Sequence, residues 1–334
     1  MKKIYLLITA LLFVVGTTMA QTENKSTIKV SDNSSDNTIT VKQDQQDDEL
    51  NVSKVNVTEF SAENDVDVTQ EGENQKSEVY IRLGFQNDVN VKQDDEDNKS
   101  KVRIDDSFFN DVDVEQESED NESVVNILDV SDGNQVDVYQ AGQGDHDSKV
   151  NITAGSFVND VSIQQYGDNQ ESSVTINSTS DANEVDVYQT GEDNDSDVLI
   201  DEANFGNTVD IEQDGDDNES DVTIFVFNEG NDVKVKQDGD DNESDVAIAF
   251  GSNDNDVRIR QNGDDQESGV EIIGESSEND VDVYQNGDDH ESFIGIYDES
   301  SFNSVEVDQY GDYSTSDVII NDGSDSNTVE ISQK

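Results

Sequence analysis

The sequence predicts an all-β protein, a two-sheet β-solenoid of about 13 stacked strand-turn-strand repeats. Three observations predict this fold: a phrase that recurs along the chain, apolar residues that alternate with polar ones, and glycine-containing turns between the alternating segments. Residues two apart lie on the same side of a strand, so the alternation gives each segment one apolar face. A single repeat cannot bury that face alone, and stacking of the repeats is therefore expected.

The recurring phrase has the form Asn-x-Val-x-Val-x-Gln and predicts the first strand of each repeat. Its interval settles at 24 residues from Gln165 onward, and every copy has an Asn six residues before the Gln. The copies end at Gln43, Gln70, Gln93, Gln116, Gln140, Gln165, Gln189, Gln213, Gln237, Gln261, Gln285, Gln309 and Gln333. The strands are thus expected to keep a constant spacing while small insertions fall in the turns.

A second phrase, Ser-x-Val-x-Ile, follows every Gln except the last and predicts the second strand. Between the two phrases, most copies have a Gly two residues after the Gln, as Gly215 follows Gln213, and an Asn nearby, such as Asn218. Gly and Asn tolerate positive φ, which indicates a tight turn. Each repeat is therefore expected to run strand, tight turn, strand, looser turn.

The inward face of each strand combines branched aliphatic residues with amides and serine. A buried amide without a partner costs a few kcal/mol. In an in-register stack, however, each amide donates to one neighbour and accepts from the other. The sequence therefore predicts structural ladders, represented in three central repeats by Asn207, Gln213, Ser220, Asn231, Gln237, Ser244, Asn255, Gln261 and Ser268.

The outward faces are strongly acidic, and the net charge of −63 opposes stacking because like charges face one another between strands. Clustered Lys and Arg, which nucleic-acid binding requires, are missing from the sequence, so no nucleic-acid partner is expected. The chain has no Cys, which excludes disulfides, and no Pro, which favours strands over a secreted linker. Partial relief of the repulsion is expected from Lys234 and Lys236 against Asp210 and Glu212, and from Arg258 and Arg260 against Asp282.

The chain is expected to divide into a signal peptide and one repeat domain. Residues 1–20 combine two lysines, a short apolar run and small residues that end at Ala20, as in secretory signal peptides. The apolar run is too short for a stable membrane anchor, and no membrane insertion is expected. Residues 21–334 are expected to form the repeat β-solenoid.

This repeat resembles the curlin repeat, the building block of curli fimbriae. In that repeat a polar residue lies six positions before a Gln, a Gly two positions after it and an Asn five positions after it. The positions match at Asn183, Gln189, Gly191 and Asn194, and again at Asn231, Gln237, Gly239 and Asn242. The likeness extends from about residue 26 to residue 333, but the Gln that usually closes the second strand is replaced by Ile200, Ile224, Ile248 and Ile272.

The resemblance implies a secreted, extracellular protein of the cell-surface fimbriae of Gram-negative bacteria. The implied function is a structural subunit, either the major subunit or a nucleator, of a curli-like amyloid fibre in biofilm matrix and adhesion. A curli-type secretion channel and a nucleator are the implied partners. Residues 26–30 and 327–333 are half repeats, which predicts that copies of the chain join head to tail into a homopolymer.

Two other functions compete with this hypothesis. In the first, the protein is an acidic surface β-solenoid that binds Ca²⁺ or mineral and does not polymerise. Candidate calcium ligands are Asp214, Asp216, Asp238 and Asp240, although their spacing is neither that of an EF-hand nor that of the Gly-rich calcium-binding nonapeptide; no other cofactor is expected. In the second, the protein is an enzyme. His146 and His290 fall in turns without a nucleophile and base arrangement, so catalysis is not expected.

Overall fold

The computed structural model describes residues 24–31, 34–44, 50–59 and 61–334, and the regular elements of these residues are all β-strands. The predicted signal peptide lies outside the described residues. The first sheet, called the odd sheet, contains β1 (Lys25–Val30), β3 (Val52–Val57), β5 (Lys76–Ile81), β7 (Lys99–Ile104), β9 (Glu122–Ile127), β11 (Asp147–Ile152), β13 (Glu171–Ile176), β15 (Asp195–Asp201), β17 (Glu219–Phe225), β19 (Glu243–Ala249), β21 (Glu267–Ile273), β23 (Glu291–Tyr297) and β25 (Thr315–Ile320).

The second sheet, called the even sheet, consists of the copies of the Gln-ending phrase. Its strands are β2 (Thr38–Asp44), β4 (Asp65–Glu73), β6 (Asp88–Glu96), β8 (Asp111–Gln116), β10 (Gln135–Gly144), β12 (Asp160–Asp168), β14 (Glu184–Glu192), β16 (Thr208–Asp216), β18 (Asp232–Asp238), β20 (Asp256–Asn262), β22 (Asp280–Asp288), β24 (Ser304–Asp312) and β26 (Thr328–Gln333). Each sheet has 13 strands among the described residues, and this confirms the predicted two-sheet solenoid.

All neighbouring strands are parallel and pair the same phrase position from coil to coil. Val209 lies beside Val233, and Gln213 lies beside Gln237. The turns absorb the irregular intervals, because the register of β10 against β12 shifts only between Gly142 and Gly144. Strand positions therefore keep one register along the stack.

The core is a single column of Val and Ile between the two sheets. It runs from Ile39 to Ile320, and most of its members are essentially inaccessible to solvent. Branched aliphatic side chains suit this position because their restricted rotamers pack well on a pleated surface. Ile28, Val41, Val329 and Ile331 pack against the core but are only partly buried, since they belong to the outermost strands.

The tight turns depend on positive φ and on close approach of successive coils. Gly215 has a φ of 134°, and a Cβ added there would collide with the backbone carbonyl of Gly239 in the next coil. Asp217 adopts a φ of 56° two residues later, a conformation that Asp tolerates better than most residues. At Gly215, the close approach of the next coil therefore requires a glycine.

Strands β1 and β2 form the lower end of the stack, and β25 and β26 form its upper end. Each of these four strands has a paired neighbour on one side only within the part of the chain that the structure describes. Within that same part, no helix is long and apolar enough to cross a membrane.

Candidate functional site: buried polar ladders

The first ladder is formed by the Asn that opens each phrase. The side-chain amide of Asn231 donates to Oδ1 of Asn207 at 2.9 Å, and the backbone N–H of Asn231 donates to the same oxygen at 3.0 Å. Its second amide hydrogen is directed to the carbonyl of Ser252 at 3.0 Å. Asn255 repeats the contact to Asn231 at 2.9 Å, so each rung points its donor toward the lower end.

The second ladder is formed by the Gln that closes each phrase, and its direction is reversed. Nε2 of Gln213 donates to Oε1 of Gln237 at 2.9 Å, and Gln237 donates in turn to Gln261 at 3.0 Å. The same nitrogen of Gln213 also lies 2.9 Å from the carbonyl of Asp195 and 3.1 Å from that of Asn218. The two ladders therefore give every coil chemically different upper and lower faces.

The serine column is less complete than the two amide ladders. Ser244 donates to Ser220 at 3.2 Å, and Ser268 bonds to Ser292 at 3.1 Å. Other members of the column are buried with no protein partner for the hydroxyl: Ser53, Ser77, Ser100, Ser123, Ser148 and Ser316. A hydroxyl reaches less far than a carboxamide, so this column specifies register less strongly than the Asn and Gln columns do.

A third amide ladder lies in the tight turn, where the sequence indicated only a turn residue. The side chain of Asn218 donates to Oδ1 of Asn194 at 2.9 Å and to the carbonyl of Gly239 at 2.8 Å. We call this set the turn column: Asn51, Gln75, Asn98, Asn121, His146, Gln170, Asn194, Asn218, Asn242, Gln266, His290 and Ser314. The recurrence of a polar residue five or six positions after Gln was the signal that could have revealed it.

A fourth column lies in the looser turn, three residues before the phrase Asn in the later coils. Asn228 donates to Asn204 at 3.0 Å, and Oδ1 of Asn228 accepts the backbone N–H of Ser252 at 2.9 Å. Recurring Ser or Asn at this position was the available sequence signal. In the central coils, side chains of both turns therefore make buried hydrogen bonds to neighbouring coils.

The four candidate calcium ligands lie on the acidic surface of the tight turn. Oδ1 of Asp216 accepts the backbone N–H of Glu192 at 2.9 Å, and Oδ1 of Asp240 accepts that of Asp216 at 3.1 Å. In the described ranges, no group of three or more acidic, His or Cys residues is arranged to hold a metal ion. Calcium binding by Asp214, Asp216, Asp238 and Asp240 therefore stays a prediction without support from the geometry.

The outward acids repel one another between coils. Burial raises the pKa of Asp221 to about 6, with a further contribution from Asp197 and Asp245 on the adjacent strands. Burial together with Glu171 and Asp197 likewise raises the pKa of Asp195 to about 6. Acidic columns of this kind favour protonation or a nearby cation over stacking of bare carboxylates.

Basic side chains relieve part of this repulsion, in a pattern that differs partly from the expected one. Lys236 pairs with Glu212 across coils, and Arg260 pairs with Asp282 at 2.8 Å, as predicted. Lys234 instead pairs with Asp232 of its own strand at 2.8 Å, and Arg258 pairs with Asp256 of its own strand. Residues two apart on one strand share a face, so the same-strand carboxylate competes with the one on the next coil.

A family model of the curlin associated repeat matches residues 62–94 and 277–319. The chain therefore contains curlin repeats. The two matched segments lie near opposite ends of the stack, and each contains two rungs of both the Asn and the Gln ladder. No curated protein matches the chain at a significant level.

The family match and the fold agree in what they indicate for this curlin-repeat protein. The family is structural and non-enzymatic, and it forms the extracellular curli of Gram-negative bacteria. A β-solenoid with in-register amide ladders is compatible with a curli-like amyloid subunit. Chemically, the end of each ladder is suited to hydrogen bonding with the matching column in another copy of the chain.

Proposed function

We propose that this curlin-repeat protein is a secreted structural subunit, either the major subunit or a nucleator, of an extracellular curli-like amyloid fibre. The observation that carries the proposal is the pair of in-register parallel sheets whose outermost strands, among the residues that the structure describes, each have a paired neighbour on one side only. Strand edges of this kind are templates for the addition of further strands. Residues 1–20 serve as its signal peptide, a curli-type channel exports it, and the fibre acts in biofilm matrix and adhesion without catalysis.

The opposite directions of the Asn and Gln ladders favour head-to-tail growth. At the upper end, Asn327 donates downward to Asn303 and Gln333 accepts from Gln309, so an Asn oxygen and a Gln N–H face the next copy. At the lower end, Gln43 donates upward to Gln70, so its Oε1 faces the previous copy. Head-to-tail contact joins donors to acceptors in both ladders, whereas joining two upper ends opposes Gln donor to Gln donor and Asn acceptor to Asn acceptor.

Head-to-tail contact would also combine the two half repeats, residues 26–30 and 327–333, into one coil. In a head-to-tail junction, β26 of one copy and β1 of the next form the two strands of one coil. The even sheet then continues from β26 to the next β2, and the odd sheet continues from β25 to the next β1. The chain would therefore polymerise without changing the register inside either subunit.

The test compares fibre growth by the natural chain, Gln333→Leu and Gln164→Leu. Gln333 is an end rung of the ladder, whereas Gln164 is an exposed outward residue of β12, so the second variant controls for the substitution itself. We expect fibres far longer than the roughly 60 Å rod of one chain, with a meridional spacing of about 4.7–4.8 Å. Gln333→Leu should elongate more slowly, as followed by thioflavin fluorescence and electron microscopy.

Absence of fibres from the natural chain in salt would contradict the fibre proposal. Equal elongation by Gln333→Leu and the natural chain would contradict the head-to-tail ladder contact while leaving the fibre intact.

A second candidate function is cation or mineral binding by the acidic surface. It is favoured by the raised pKa values of Asp195 and Asp221, because a bound cation would relieve the repulsion between neighbouring carboxylates that contributes to them. Calorimetry with Ca²⁺ tests it. A saturable heat supports specific binding, whereas a heat that disappears in moderate salt indicates only a diffuse ion atmosphere.

A further inference from the structure

Two histidines occupy the turn column, in which nearly every other position carries a carboxamide. His146 and His290 are each about 1% exposed, as are their amide counterparts Asn194 and Asn218. The sequence indicated turn residues at these positions, and the structure places them in a turn but buries their rings. Each ring must therefore satisfy the hydrogen bonds that an amide makes elsewhere in the column.

An amide in this column both accepts and donates. Oδ1 of Asn194 accepts the backbone N–H of Asn218, one coil above, at 3.0 Å. Nδ2 of Asn194 lies 3.2 Å from the carbonyl oxygen of Thr190, four residues earlier in its own turn. An Asn at this position therefore accepts from the next coil and donates within its own turn.

Both histidines meet these requirements in one protonation state only. Nδ1 of His146 accepts the backbone N–H of Gln170 at 3.3 Å, and Nε2 lies 3.1 Å from the carbonyl oxygen of Ala141. A carbonyl can only accept, so Nε2 carries the hydrogen and Nδ1 carries none. His290 repeats this arrangement with the N–H of Ser314 at 3.2 Å and the carbonyl of Asn286 at 3.3 Å.

A proton added at Nδ1 would destroy the contact to the next coil. The ring would then present N–H to a backbone N–H, and a buried cation would face a donor that has lost its acceptor. The amides of the column cannot undergo this change. We propose that His146 and His290 are proton-sensitive rungs, at which acidification loosens the stacking of the next coil while the amide rungs keep theirs.

Charged groups around each ring are mainly carboxylates on the exposed rim of the turn. Around His146 they are Asp120 and Glu122 from the coil below, Asp145, Asp147 and Lys149 from its own coil, and Asp168, Glu171, Asp193 and Asp195 from the coils above. In the turn that contains His290, the acidic and titratable residues are Asp288, Asp289 and Glu291 in its own coil, Asp264, Asp265 and Glu267 in the coil below, and Asp312 and Tyr313 in the coil above. At His146 the carboxylates attract a proton to the ring, but burial outweighs them and lowers its pKa.

The direction of the pH dependence follows from this lowered pKa. The unfolded chain binds the proton first, at a pKa of about 6.5, so the stability contributed by His146 is complete above that pH and is lost as the pH falls below it. Asp195 and Asp221 act in the opposite direction, because their raised pKa makes the folded chain bind protons first between about 6 and 3.8. The histidine contribution must therefore be isolated by matched variants.

The test measures amide hydrogen exchange in the monomeric full chain, before fibres form. The reporters are the N–H groups of Gln170 and Ser314, which donate to the histidines, and the reference is that of Asn218, which donates to an amide oxygen. The natural chain is compared with the His146→Asn, His290→Asn double variant. Asn242→Gln is the control, since Gln already occupies this column at three other positions.

Below about pH 6.5, we expect protection of the Gln170 N–H relative to that of Asn218 to fall in the natural chain by up to about tenfold per pH unit. Protection of the Ser314 N–H should fall in the same direction on acidification, because a proton on Nδ1 of His290 removes its acceptor. Protection of both reporters relative to Asn218 should stay constant in the double variant, whereas Asn242→Gln should behave like the natural chain. Nitrogen NMR near about pH 8 should show Nδ1 of both rings without a proton.

Equal pH dependence in the natural chain and the double variant would overturn the proposal, as would a proton on Nδ1 of either ring. The proposal deepens the proposed function, since every subunit of a fibre would carry these two rungs. Its test uses the monomer, however, so a failure to form fibres would leave the result interpretable.

Discussion

The adjacent pair Gln164 and Gln165 allows the ladder to be tested with one substitution at two positions. Gln165 is fully buried in β12, whereas Gln164 points outward. Nε2 of Gln165 donates to Gln189 at 3.0 Å, and its Oε1 accepts from Gln140 at 2.9 Å. Leu is similar in size, so Gln165→Leu chiefly removes hydrogen bonds, and Gln164→Leu is the matched control.

The expected magnitude follows from the partners that remain. Gln165→Leu leaves the buried Oε1 of Gln189 without its donor, whereas Nε2 of Gln140 keeps the carbonyl oxygens of Glu122 and His146 as acceptors. The unpaired acceptor costs about 1–3 kcal/mol, and apolar burial of Leu offsets part of this. A loss of about 1–2 kcal/mol in the local free energy of unfolding is expected, against less than about 0.5 kcal/mol for Gln164→Leu.

The assay combines urea unfolding, followed by circular dichroism, with amide hydrogen exchange. Solenoids unfold partly coil by coil, so exchange of amides in β10, β12 and β14 reports the local loss better than the global midpoint does. Equal protection of these strands in the two variants would refute the view that the Gln ladder stabilises the stack.

Two further predictions concern the acidic surface and the turns. Asp221→Asn should raise the urea midpoint at neutral pH, because burial and like charge raise the pKa of the Asp221 carboxyl to about 6. This gain in stability should shrink as the pH falls from about 6 toward 3.8, because the natural Asp is then protonated in the folded chain. A lower midpoint at neutral pH would contradict this. Gly215→Ala should destabilise the chain by about 1–3 kcal/mol through its φ of 134° and the collision with the Gly239 carbonyl. Gly206→Ala, where φ is 63° and the space is open, should cost less in the same unfolding measurement, and the reverse order would exclude coil contact as the cause.

The strands and their register could be predicted because their causes are local and repeated. Alternation in segments such as 207–213 specifies which side chains face inward, and the 24-residue interval superimposes each phrase on the next. The confirmed two-sheet solenoid and the family match both follow from that repetition. The inward orientation of Asn207 and Gln213 could likewise be predicted from their positions in the phrase alone.

The turn residues could not be assigned in the same way. A turn has no period of two, so side-chain alternation does not show whether Asn218, Asn228 or His146 points inward or toward solvent. Their burial results from the path of the backbone between sheets, which is set by positive φ at neighbouring residues and by contact with adjacent coils. Lys234 and Arg258 could not be assigned between a same-strand and a cross-coil carboxylate either, because both carboxylates lie on the same face of the sheet.

The amino-acid sequence by itself determined that identical strands stack in register, because side-chain alternation and a constant repeat length leave one arrangement that buries the Val and Ile rows. Only the tertiary structure decided the polarity of the Asn and Gln ladders and the single protonation state available to His146 and His290. Hydrogen-bond direction depends on which atom of each side chain faces the next coil, and residue type and spacing do not contain that information.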